Sequence, residues 1–132
     1  MKITADTNVL VRAVTGDDAQ QSKAAQAALK KAELVALSIP ALCELVWVLA
    51  QGYRIPSGEI AEVIRRLMNG ANVAVNRPAA EAGLALLDAG GDFADGAIAY
   101  EGNWLGADTF VSFDKKVVKL MEAQGGSAQL LA

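Results

Sequence analysis

Four carboxylates in this sequence stand where an acid invites a chemical explanation. Asp6 directly follows a short strand-like opening, Lys2–Ala5. Glu44 is the only charged residue between Glu33 and Arg54, and its neighbours are Leu42, Cys43, Leu45, Val46, Trp47, Val48 and Leu49. Asp95 lies in the run Gly90-Gly91-Asp92-Phe93-Ala94-Asp95-Gly96-Ala97-Ile98, and Asp114 closes the run Thr109-Phe110-Val111-Ser112-Phe113. Each has an ordinary reading as well. Asp6 suits a cap for the turn that follows it and Asp114 a helix N-cap, and Asp92 suits a cap with Asp95 in the following first turn. A helix apolar on every side is a buried helix. An ionised Glu44 there costs several kcal/mol unless it is paired or metal-bound. The plainer alternatives for Glu44 are an exposed helical edge or a partner such as Arg12 or Arg54. Four acids at such places in one short chain favour a shared role over four unrelated ones.

The chain contains no His, which removes Ser-His-Asp and Cys-His catalysis and most zinc sites. Its single cysteine, Cys43, cannot form an internal disulfide and reads as a small buried hydrophobe. What remains is carboxylate chemistry. Mg²⁺ and Mn²⁺ prefer oxygen ligands. One or two such ions can bind a scissile phosphate, activate a water and stabilise the leaving oxygen.

The rest of the composition sets bounds. Hydrophobic residues make up 53% of the 132, with a mean hydropathy of +0.27, so the chain can build a core. Aromatics are only 5%, so that core is expected to consist mainly of Ala, Val, Leu and Ile. The net charge of −3 argues against a general nucleic-acid binder, although bound divalent ions would cancel part of it. The cationic positions that could meet RNA are Arg12, Arg54, Arg65-Arg66 and Lys115, Lys116 and Lys119, each of which also reads as a solvated surface charge. No targeting segment is visible. The stretch Leu34–Tyr53 is broken by Pro40, by its single charge Glu44 and by Gly52 and is a poor membrane span, so a cytoplasmic protein without membrane contact is expected.

The elements that must position the acids follow from periodicity and punctuation. Strands are expected at Lys2–Ala5, Leu34–Ser38, Asn72–Asn76, Thr109–Phe113 and, at an edge, Ala128–Leu131. Helices are expected over Asp17–Ala32, from Pro40 to Gly52, from Pro56-Ser57 onward, and over Pro78–Ala89, Phe93–Leu105 and Lys115–Gln124. In the third of these, Ile60, Val63, Ile64, Leu67 and Met68 form one apolar stripe and Glu62, Arg65 and Arg66 lie off it. Strands alternating with helices predict an α/β sandwich with a mostly parallel sheet, in one domain over residues 1–132. In such sheets ligands gather beyond the carboxyl ends of strands, where Asp6 and Asp114 stand.

These residues resemble a known family. Asp6-Thr7-Asn8-Val9-Leu10, the helix of Pro40-Ala41-Leu42-Cys43-Glu44-Leu45, the helix start Asp92-Phe93-Ala94-Asp95-Gly96-Ala97-Ile98-Ala99 and Ser112-Phe113-Asp114 are similar, in order, to the motifs of PIN-domain proteins, in particular VapC-type toxins of toxin–antitoxin pairs. The resemblance implies a PIN-like three-layer α/β/α sandwich with a short central sheet. It also implies an endoribonuclease dependent on Mg²⁺ or Mn²⁺, a homodimer, and a cognate VapB-type antitoxin. Asp6, Glu44, Asp95 and Asp114 would hold the ion, with Thr7, Asn8, Asp92 and Ser112 in support. Ser112 replaces the commoner Thr and keeps its hydroxyl. Gly96 stands where Ala is frequent, a change expected to matter little to chemistry and to loosen the helix start. Two other readings fit fewer residues. A haloacid-dehalogenase-like phosphatase would use Asp6 as nucleophile, but position 8 is Asn and Glu44 would have no task. A catalytically silent PIN-like binding module would be marked by a missing acid, and none is missing.

Overall fold

The structure is a computed structural model that describes residues 1–132. The chain forms two compact units, Met1–Arg77 and Pro78–Ala132.

The first unit is built on a parallel three-stranded sheet. Strand β2 (Leu34–Leu37) lies between β1 (Lys2–Thr4) and β3 (Val73–Val75), with Val35 opposite Ile3 and Val73. Strand β2 takes the centre because its Val35 and Leu37 are buried while the flanking strands bury less. Helices α1 (Thr7–Val14) and α2 (Ala19–Lys31) separate β1 from β2, and α3 (Ile39–Trp47) and α4 (Ser57–Met68) separate β2 from β3. Helix α1 is an element that the sequence reading left unassigned. It is short and rich in β-branched residues, but Asp6 caps it, and Leu10 and Val11 anchor its buried face. Asp18, not Asp17, caps α2, and Ser38 caps α3 with Pro40 in its first turn. On α4 the expected stripe holds: Ile60, Ile64 and Met68 are buried, and Glu62, Arg65 and Arg66 are exposed.

One expectation fails here. Helix α3 is not apolar on all sides. It buries Ala41, Leu42, Leu45 and Val46, while Pro40, Glu44 and Trp47, spaced i, i+4 and i+7, form an exposed stripe. Glu44 is therefore a solvent-facing acid rather than a buried one, and the burial argument for its function falls away. The misleading residue is Trp47, which is 66% exposed and made the outer stripe look like core. The helix also does not continue regularly to Gly52. Its last turn, Val48–Gly52, is π-helical, with the Tyr53 amide donating to the Val48 carbonyl over 3.2 Å.

The second unit contains α5 (Arg77–Asp88, entering from the last residue of the first unit), α6 (Phe93–Trp104), β4 (Phe110–Ser112), α7 (Lys115–Ala123) and β5 (Ala128–Leu130). Strands β4 and β5 pair in parallel, Phe110 with Ala128 and Ser112 with Leu130, so the last strand is a pairing strand. The core centres on fully buried Phe93 and on Leu86, Val117 and Met121. Aliphatic residues supply the rest, as the composition foretold, but Phe93 is an aromatic exception at the centre. Glycine makes this packing close. A Cβ on Gly83 would fall 2.7 Å from the Phe93 ring, and one on Gly96 would fall 2.3 Å from the Ala82 carbonyl oxygen. Gly96 therefore lets α6 approach the backbone of α5. The expectation that it merely loosens the helix start is wrong, because a methyl group has no room there.

Candidate active site

Asp6 leaves β1 through Ala5 and caps α1, its Oδ1 accepting the Val9 amide at 2.9 Å. The ordinary reading of this residue is thus realised, but a cap uses one carboxylate oxygen and the residue is exposed. Asp6 also lines a groove of about 350 Å³ along α1 and α2, together with Asn8, Arg12 and Gln21 over an alanine floor. Thr7 is the first residue of α1 and half-buried, and Asn8 follows it on the exposed side. Glu44 stands on the outer stripe of α3.

In the second unit, three acids influence one another. Asp92 caps α6, accepting the Ala94 amide at 3.3 Å. Asp114 caps α7, its Oδ1 accepting the Lys116 amide at 2.9 Å and the Val117 amide at 3.4 Å. The Ser112 hydroxyl accepts the Asp114 amide at 2.9 Å, which fixes the turn that leaves β4 and leaves the Ser112 proton free to donate. Asp95 caps nothing. It sits half-buried in the first turn of α6. Burial pushes its carboxyl above the ordinary value, and the charges of Asp92 and then Asp114 push in the same direction. The position at the α6 N-terminus favours a negative charge, yet burial and the two neighbouring acids outweigh it.

The structure thus brings Asp92, Asp95 and Asp114 within electrostatic reach in one unit, and it places Asp6 and Glu44 in the other. In neither unit do three or more Asp, Glu or Cys side chains form a group spaced to hold a metal ion. What the residues offer such an ion is their chemistry: oxygen donors only, and around Asp95 a crowding of like charge that a cation would relieve.

One polar centre escaped the sequence reading. Asp17 accepts hydrogen bonds from Arg12 and Thr15, each at 3.0 Å, and from the Tyr53 hydroxyl at 2.6 Å. The Tyr53 bond first, then that of Thr15, hold its carboxyl below the ordinary value, with Arg12 adding to them. The available signal was the pair Asp17-Asp18, because a helix start needs only one cap. The cluster also answers an earlier alternative: Arg12 pairs with Asp17, not with Glu44.

The family model of the PIN domain matches residues 3–121, nearly the whole chain and both units. The match bears out the PIN-like α/β/α fold class, with its seven α-helices and short parallel strands. No curated protein matches the chain. No helix is long and apolar enough to cross a membrane.

Proposed function

The chain belongs to the PIN domain family, whose members are generally nucleases, and from that premise we propose that it is a Mg²⁺- or Mn²⁺-dependent endoribonuclease of the VapC toxin type. The observation that carries the reading is Asp95. A carboxylate that caps nothing, is half-buried and faces two further acids is held against its own electrostatics. Carboxyls perturbed in this way cluster at functional sites.

In this reading Asp6, Glu44, Asp95 and Asp114 are the metal ligands. A bound Mg²⁺ or Mn²⁺ would supply Lewis acidity toward a scissile phosphate and a water of lowered pKa. The chain's own part is positioning. Backbone amides hold the Asp6 and Asp114 carboxylates at helix starts and leave an oxygen of each free. Ser112 fixes the turn before Asp114, and the Asn8 amide is free to orient a water or a phosphate oxygen. The exposed position of Glu44 suits a ligand reached from solvent. With no His and no residue set as a nucleophile, hydrolysis proceeds by direct attack of water. A homodimer and a VapB-type antitoxin partner follow the family resemblance, and a single domain over 1–132 and a cytoplasmic location follow the sequence pattern.

The test is cleavage of a mixed RNA pool by purified protein with Mn²⁺, run beside EDTA and beside an Asp6→Asn/Asp95→Asn variant. Any co-purifying partner is first removed by denaturation and refolding. The reading predicts cleavage that disappears in both controls. Full activity of an Asp6→Asn protein would remove Asp6 from the ligand set, and cleavage that survives EDTA would remove the metal.

A further inference from the structure

Phe113 is 78% exposed, although its type belongs in a core. It lies between Ser112, the last residue of β4, and Asp114, the cap of α7. Along β4, Phe110 and Ser112 are half-buried, whereas Val111 on the opposite face is exposed, and Phe113 continues that outward face. The backbone that carries the ring is fixed. The Asp114 amide is tied to the Ser112 hydroxyl, and the Asp114 carboxylate is tied to the amides of Lys116 and Val117. The ring is thus presented to solvent from a rigid support.

Cations follow at once. Lys115, Lys116 and Lys119 are exposed, and none of them makes an ion pair. Two stand in the first turn of α7, where the helix dipole disfavours positive charge, so helix stability does not account for them. The chain as a whole is acidic, and α7 sets three exposed lysines directly after one exposed aromatic. A ring that offers a flat apolar face, flanked by unneutralised cations, is the combination by which proteins hold single-stranded nucleic acid. Bases stack on the ring and cations meet the phosphates.

We infer that Phe113 is a base-stacking residue for single-stranded RNA, with Lys115, Lys116 and Lys119 taking the phosphates beside the stacked base. The inference deepens the nuclease reading by naming how the strand is seated. It rests on that reading for its choice of RNA, but its test does not depend on cleavage.

The experiment is titration of a fluorescein-labelled 12-nucleotide single-stranded RNA with the full chain in EDTA, where no metal-dependent cleavage occurs. A ribose-phosphate strand of the same length without bases serves as the second probe. Stacking contributes about 1–3 kcal/mol per base, so Phe113→Ala weakens binding of the RNA about ten-fold. Phe113→Trp retains full affinity. On the strand without bases, Phe113→Ala and the parent bind alike, whereas Lys116→Gln/Lys119→Gln weakens binding of both strands. Because the ring is exposed, Phe113→Ala leaves the melting temperature unchanged, which separates lost stacking from lost folding.

Equal affinity of Phe113→Ala and the parent for the RNA overturns the inference and makes Phe113 a protein-contact residue instead. An equal loss on both strands overturns it too, as does a parent protein that binds no RNA. Cleavage with Mn²⁺ but no dependence of binding on Phe113 removes this inference alone. Binding that depends on Phe113 without any cleavage supports the inference and removes the nuclease reading alone.

Discussion

The start of α1 and the start of α6 each carry an aspartate that the sequence alone marks as a candidate ligand, and the two are held very differently. At α1, Asp6 does the ordinary work of a cap. It is exposed, its Oδ1 meets the Val9 amide, and the helix would fray without it. At α6 that work falls to Asp92, and Asp95 is left half-buried among acids with no backbone group to satisfy. The same residue type at the same kind of place therefore carries different information. Structure explains Asp6 even if it has no chemical role, whereas for Asp95 the favourable position in the first turn of α6 is outweighed by burial and by the neighbouring acids. The cost of keeping it there is what points to function.

That comparison can be broken at several strengths. The largest effect is expected at Gly96. Its added Cβ would meet backbone atoms of Ala82 and Gly83 rather than the end of a flexible side chain, so Gly96→Ala must force α6 away from α5. A loss of about 2–3 kcal/mol, read from a denaturant melt, is expected. An unchanged midpoint would show that α6 does not approach the α5 backbone so closely.

Next is the cap. Asp6→Ala should cost about 1 kcal/mol, whereas Asp6→Asn, which caps as well, should leave stability intact and remove activity. Comparing the two by melting and by RNA cleavage separates the structural role of Asp6 from its chemical one.

A smaller effect carries a definite sign. The Asp95 carboxyl is raised in the folded protein, so its favourable contribution is present below the ordinary value of 3.8 and is lost as pH rises through the raised one. At neutral pH the charged Asp95 opposes folding. The metal-free Asp95→Asn variant should therefore melt slightly above the parent at pH 7, and the gap should close toward pH 3.5. Asp17 should behave in the opposite way. Its carboxyl is lowered, so its contribution is present above 3.8 and lost as pH falls through the lowered value. Asp17 itself is exposed, so Asp17→Asn should have the smallest effect of the series, seen as a slightly lower melting temperature at neutral pH.

Much of this was legible in the sequence because the signals were local. The strands, the stripe of α4 and the caps at Asp6, Asp92 and Asp114 follow from residue type and spacing within a few positions. What the sequence concealed was non-local. The outer stripe of α3 was hidden by Trp47, because an exposed tryptophan has the same letter as a buried one. The need for Gly96 depends on where the α5 backbone passes. The role of Asp17 depends on Tyr53, which is distant in sequence and is brought to it by folding. The raised carboxyl of Asp95 likewise depends on burial first, then on Asp92, with Asp114 from another helix start adding to them.

The most direct test of the central claim is the shift in melting temperature on adding millimolar Mn²⁺ at pH 7.5, measured side by side on the parent and on Asp95→Asn. If the crowded carboxylates are a cation site, Mn²⁺ raises the melting temperature of the parent by several degrees and leaves Asp95→Asn almost unmoved. Equal shifts in the two proteins, or none in the parent, would contradict the claim that Asp95 is held against its electrostatics in order to bind a metal.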